Sequence, residues 1–344
     1  CAGIPMTPAG AAVEAVAARW LLELLHLPAE SSVGLVSGAT IANFVGLAAA
    51  RGELLARQGW NVEDDGLYGA PPLPVLVGAD AHNTVFSGLR YLGLGEKRVT
   101  TIATDAEGRM LPQALEAALK AAGAPAIVIG QAGQINTGVS DPFAVIAPMI
   151  HAAGGWLHVD GAFGLWARAS QRHAHLLDGI EQADSMATDG HKWLQTPYDC
   201  GFAICRHEGA HRRAMQMQAS YLGGDDPSFR HPGNYVPELS RRARGFAAWA
   251  MMKRLGREGV AQMVDSDIAL AQQMARGMAQ IPGVTVVNQP ELNQFMVRFG
   301  VEHGDEESDR LTGAAVAQIQ QDAVAFMGTA RWRGRQAPHR GGWR

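Results

Sequence analysis

Residues 154–164 read GGWLHVDGAFG, a short apolar strand, WLHVD (156–160), framed by glycines and closed by a carboxylate. A run this apolar has no polar face to offer water, so it belongs in a sheet covered on both sides. Similar runs recur around it: VGLV (33–36), PVLVGA (74–79), RVTTIA (98–103), AIVIGQ (126–131), SMAT (185–188) and GFAICR (201–206). Helical patterns fill the gaps near 40–52, 83–92, 111–122 and 142–153, the last with Asp141 and Pro142 at its start as an N-terminal signal. Strands alternating with helices predict an α/β fold, a mostly parallel sheet flanked by helices. From about 242 to 280 the pattern turns long and helical. Then VTVVNQPELNQFMVRFG (284–300) reads as two strands joined by a turn, and a further helix follows. This shift predicts a large domain over 1–249 and a smaller C-terminal α+β domain over 250–344.

Composition narrows the function. The 344 residues are 47% hydrophobic and 18% charged, ordinary for a globular chain with a buried core. A net charge of −4 gives no electrostatic case for nucleic acid or an anionic membrane. No apolar run is long enough for a membrane helix, and the N-terminal stretch lacks the basic start and continuous apolar core of a secretory signal. Cys1, Cys200 and Cys205 form neither a disulfide framework nor a zinc pair, so a reduced, cytoplasmic setting and no metal are expected. A small molecule is the expected partner.

In parallel sheets, ligands collect beyond the carboxyl ends of the strands. Four clusters fall there. Asp160 closes an apolar strand, where an unpaired carboxylate is costly. A protonated pyridine nitrogen would satisfy it; a helix cap, an arginine partner, or a metal shared with His158 are the alternatives. Lys192 follows a strand in ATDGHKWLQTPYDCG (187–201). Ser37, Gly38, Ala39 and Thr40 form a small-residue turn into a helix, an arrangement that cradles phosphate. His82, just past a strand, can stack on a flat cofactor or move protons. Phosphate, ring face, ring nitrogen and aldehyde of pyridoxal 5′-phosphate (PLP) each find a counterpart in this set. No dinucleotide fingerprint or P-loop is present.

With HVDGAFG and DGHKW, the chain resembles the group II PLP-dependent amino-acid decarboxylases, fold type I members of the aspartate aminotransferase superfamily, from about residue 10 to about 335. The resemblance implies that Lys192 carries the cofactor as an internal aldimine, with His191 beside it toward the phosphate. Asp160 would pair with the pyridine nitrogen, Ala162 pack beneath the ring and His82 stack on its exposed face. Ala39 and Thr40 would hold the phosphate. Asn136 would contact the cofactor from GQINTGVSDP (133–142), where Gln134 and Ile135 replace two threonines of the family pattern. A homodimeric carboxy-lyase converting an L-amino acid to an amine and CO2 is implied; an aminotransferase, a carbon–carbon lyase and an inactive truncated chain are the alternatives.

Tyr221 and Tyr235 lie near the stretch where many family members carry a proton-donating loop tyrosine, though neither falls on that position. Arg241, Arg242 and Arg244 could meet a substrate carboxylate or form a solvated or interface face. The family's N-terminal segment has no counterpart, and after WRGR (332–335) QAPHRGGWR (336–344) stands where the family continues into an apolar strand. A fragment or an incomplete gene product of a longer parent is the expectation, with a merely solvated basic tail over 331–344 as the alternative.

Overall fold

The computed structural model describes residues 7–217, 230–323 and 325–341. Helix α1 (Pro8–Leu24) precedes strand β1 (Ser32–Val36), which leads into α2 (Ala39–Ala56). After α3 (Val62–Asp65) come β2 (Val75–Gly78), α4 (Asn83–Tyr91), β3 (Thr100–Ile102) and α5 (Pro112–Ala122). Strand β4 (Ile127–Gln131), α6 (Phe143–Ala152), β5 (Trp156–Asp160), β6 (Ser185–Asp189), β7 (Gly201–Cys205) and α7 (Glu208–Met215) follow. The strands form one sheet in the order β1-β7-β6-β5-β4-β2-β3. β7 runs antiparallel to both its neighbours, and the others run one way, the mostly parallel sheet that the apolar runs predict.

Period-2 alternation divides the core into two layers. Ile127, Ile129 and Trp156 pack with α2, α4 and α7; Val128, Leu157 and Val159 pack on the opposite face with α1, α5 and α6. Leu47, Leu54 and Leu55 of α2 are fully buried, each contributing roughly 1.5–3 kcal/mol. Small residues let this helix lie close to the sheet. A Cβ on Gly46 would sit 2.6 Å from His158 Cε1, so only glycine admits that imidazole beneath the helix.

Helix α8 (Gly245–Met278) bends at Gly256 (φ 64°, ψ −178°). Its residues Met252, Val260, Val264 and Ile268 enter the large core, whereas Ala271 and Ala275 pack with the smaller sheet. The expected boundary at 249/250 thus falls inside a helix that serves both domains. Beyond it, β8 (Val284–Val286), β9 (Gln294–Phe299), α9 (Asp305–Gln321), β10 (Gly328–Trp332) and β11 (Arg335–Gly341) build an antiparallel sheet in the order β10-β11-β9-β8. The supposed basic tail is therefore partly a strand. Arg333 and Gly334, both at positive φ, turn β10 tightly into β11, and main-chain pairing needs no apolar side chains. Arg333 also reaches back to Asp80 (2.9 Å) and Thr104 (3.0 Å) of the large domain.

Asp141 has a different role from the one its position suggests. Its carboxylate leaves the start of α6 uncapped and accepts the Met110 and Gln131 N–H groups, both at 2.7 Å. Burial raises its pKa to about 6.

Among the described residues, two imidazoles are fully buried. His158 contacts Ser185 and Asn43, and His211 bridges Ser32 Oγ (2.8 Å) and the Tyr235 carbonyl (2.9 Å). Burial pushes their pKa values down, to about 3 and about 4. The unfolded chain therefore takes up these protons first, and the stability they confer is present above about pH 6.5 and lost as pH falls below it. Each should cost about 2 kcal/mol at pH 5. Asp141 has the opposite sign and returns about 1 kcal/mol over the same interval. The urea midpoint should accordingly be lower at pH 5 than at pH 7; a higher midpoint at pH 5 would contradict neutral buried imidazoles.

Candidate active site

The carboxyl ends of β1, β4, β5 and β6 open onto a cavity of ≈ 360 Å³. The β1–α2 turn supplies Ser37 to Thr40, and the start of α4 supplies His82 and Thr84. Gln131, Gly133 and Ile135 follow β4; Asp160, Ala162 and Phe163 follow β5; Asp189, His191, Lys192 and Tyr198 follow β6. Ala39, Thr40, His82, Asp160, Ala162, His191 and Lys192, singled out in the sequence, thus meet at one place. Asn136 does not line it. Its N–H is tied to Gln134 Oε1, which also accepts from Thr137 N, so this segment folds on itself as a turn. Ile135 is the residue of that turn that reaches the cavity.

Asp160 is 4% exposed. Its Oδ1 accepts the Ala162 N–H and its Oδ2 the Asn43 side-chain amide, both at 3.1 Å. The Thr84 hydroxyl adds a longer contact to Oδ2 at 3.5 Å, and a buried carboxylate held by neutral donors stays an acceptor toward the cavity. The metal alternative fails because both ring nitrogens of His158 are used by Ser185 and Asn43. Among the described residues no cluster could hold a metal ion.

Lys192 Nζ lies 3.2 Å from Asp189 Oδ2 and 5.7 Å from the centre of the Phe163 ring. Asp189 Oδ1 accepts the Ala39 N–H at 2.6 Å and sits 3.4 Å from His191 Nε2. Burial raises the Asp189 pKa, against the opposing pull of Lys192 and His191. His191 Nδ1 accepts the Cys200 N–H at 3.2 Å, which leaves its proton on Nε2, and its ring stacks on Tyr198 at 4.3 Å. His82 is the N-cap of α4, with Nδ1 accepting from Thr84 N, and it also lines the cavity. Cap and cavity wall are one residue here.

The remaining candidates lie elsewhere. Arg241 is buried against both Glu14 oxygens at 2.7 and 2.8 Å, and Arg244 holds Asp199 at 2.7 Å. Arg242 donates to the Tyr198 carbonyl at 2.7 Å. These arginines brace α1 and the loop beneath Tyr198; none is among the cavity-lining residues. Tyr235 donates its hydroxyl to Glu208, and burial lifts its pKa to about 12. It too lies off the cavity; Tyr221 and Cys1 fall outside the described residues.

The site accommodates PLP on three counts. Gly38 leaves a gap at the start of α2 that a Cβ would fill, at 3.0 Å from His191 Cε1. Gln131 Oε1, in the cavity wall, is buried without a partner. Lys192 and Asp160 supply an amine and a carboxylate at the ends of two strands with only β5–β6 pairing between them.

A pyridoxal-dependent decarboxylase conserved domain matches residues 3–300. Cysteine sulfinic acid decarboxylase of Rattus norvegicus is 31% identical over 77% of the chain and 56% of its own length. L-2,4-Diaminobutyrate decarboxylase of Rhizobium meliloti is 30% identical over 96% of the chain and 65% of its own length. The chain spans between about half and two thirds of the curated relatives it matches. In fold it is similar to Oryza sativa TDC, solved with PLP and tryptamine (TM-score 0.90, 23% identity, 97% of this chain and 71% of that one). Mouse CSAD is comparably similar (TM-score 0.88, 24% identity, 96% and 71%).

Asp189 sets an anion against the N-terminus of α2, where a phosphate would add two more charges. Asp189→Asn should therefore tighten PLP binding about tenfold, measured by fluorescence titration. Weaker binding in that variant would show that the carboxylate is needed to hold Lys192 and the Ala39 N–H in place.

Proposed function

The chain belongs to the pyridoxal-dependent decarboxylase family, carboxy-lyases that work with pyridoxal 5′-phosphate, and on that premise we propose that it removes CO2 from an L-amino acid to release an amine. The observation that carries this reading is the meeting of Lys192, Asp160 and the start of α2 in one cavity. When bound, the cofactor supplies a conjugated sink for the electrons of the bond that breaks.

The chain's residues do the rest. The first turn of α2, with the hydroxyls of Ser37 and Thr40, would hold the phosphate at the positive end of the helix. Asp160 would accept the ring N–H and keep that proton in place. Lys192 would be the amine that meets the cofactor's aldehyde, a role that calls for a nearby group to hold its proton. Asp189 Oδ2, 3.2 Å away and with a raised pKa, is placed to take the lysine's proton. Thr84 holds His82 by Nδ1, leaving Nε2 to meet the ring face or the substrate. Phe163 and Ile135 give the wall an apolar surface that excludes water.

A homodimer in a reducing, cytoplasmic setting completes the proposal; burial of Cys200 and Cys205 as free thiols supports the reducing part. Incubation of the PLP-loaded chain with a panel of L-amino acids should yield amine and CO2 in equal amounts. A 2-oxo acid in place of the amine would overturn the decarboxylase reading. Asp160→Ala should lower kcat by about 100-fold while some cofactor remains bound, and unimpaired turnover in that variant would remove Asp160 from the mechanism.

A further inference from the structure

Asp160 has a line of polar side chains behind it, on the sheet face covered by α2. Asn43, His158, Ser185 and Trp156 are each 0% exposed. Trp156 Nε1 lies 2.8 Å from Ser185 Oγ, and Ser185 Oγ lies 2.8 Å from His158 Nδ1. His158 Nε2 is 2.9 Å from Asn43 Oδ1, and Asn43 Nδ2 is 3.1 Å from Asp160 Oδ2. The line begins in a group that can only donate and ends in one that only accepts.

Those two ends fix every proton between them. The indole N–H donates to Ser185 Oγ, so the serine proton is directed to His158 Nδ1; its other acceptor, the Gly46 carbonyl, is farther at 3.5 Å. The imidazole is neutral in its buried site and carries its one proton on Nε2, donated to Asn43 Oδ1. The amide must then turn its N–H toward Asp160. All four bonds point one way.

We propose that Asn43, His158, Ser185 and Trp156 form a directional hydrogen-bond relay that positions Asp160 and lowers its hold on the ring-nitrogen proton of the bound cofactor. The inference rests on Asp160 meeting that nitrogen, as proposed above. These are positioning residues: of the four, none lines the cavity. Removing an upstream donor leaves the imidazole less polarised, so its Nε2–H pulls less on Asn43 Oδ1 and the Asn43 N–H becomes a weaker donor to Asp160. A carboxylate that accepts a weaker N–H becomes more basic and draws the shared proton away from the ring.

The test is the nitrogen resonance of ring-¹⁵N-labelled PLP bound to the full chain. In the unmodified protein it should lie at the protonated pyridine position. Ser185→Ala and Trp156→Phe should each move it toward the unprotonated position, with a several-fold lower kcat and little change in KM. Ser185→Thr, which keeps the hydroxyl, should restore the original resonance. An unmoved resonance in either Ser185→Ala or Trp156→Phe, with the cofactor bound, overturns the relay while leaving the Asp160 assignment intact. A resonance at the unprotonated position in the unmodified protein instead overturns the Asp160 assignment and the relay with it.

Discussion

Everything at this site depends on holding one carboxyl group at the end of a buried strand. Asp160 closes β5 with almost no exposure, and without donors such a group would be expelled from the sheet or neutralised. Its donors come from three directions: the chain just after it, through Ala162, helix α2, through Asn43, and helix α4, through the more distant Thr84 hydroxyl. The close seat of α2, made possible by Gly46 and its alanines, therefore does two things at once. It brings Asn43 onto Asp160, and it aims the start of the helix at the same cavity.

A second carboxylate sets the counterweight. Asp189 ends β6, the neighbour of β5, and holds the Ala39 N–H, His191 and Lys192 together. It keeps the lysine ammonium from standing alone in a part-buried wall and occupies a helix N-terminal donor that would otherwise be unsatisfied. The arrangement is self-sufficient without a ligand, and its charges are those that an anionic, aldehyde-bearing cofactor would rearrange. Around it, the arginines at 241, 242 and 244 fix the Tyr198 loop and α1, giving the wall a rigid backing.

Much of this was legible in the sequence, for physical reasons. Strands covered on both faces must be apolar throughout, so WLHVD appears in the structure with the bounds read from its residues. Polar residues just beyond such strands must converge where the sheet ends, which brings Lys192, Asp160 and His82 together. Asn43 was hidden because it sits 117 residues from Asp160, in an alanine-rich helix where one amide gives no local sign of its partner. Asp189 was hidden beside a more conspicuous lysine. Asn136 misled because its segment spends its hydrogen bonds internally. β11 escaped notice because main-chain pairing leaves no apolar period, and the boundary expected at 249/250 falls within α8, which serves two cores.

The central claim is that Lys192 and Asp160 form one cofactor site, and the most direct measurement is an absorbance spectrum of the chain with PLP, followed by borohydride reduction and peptide mapping. The account predicts a yellow species that reduction traps as a pyridoxyl adduct on Lys192. An adduct spread over other lysines, or none at all, would contradict it.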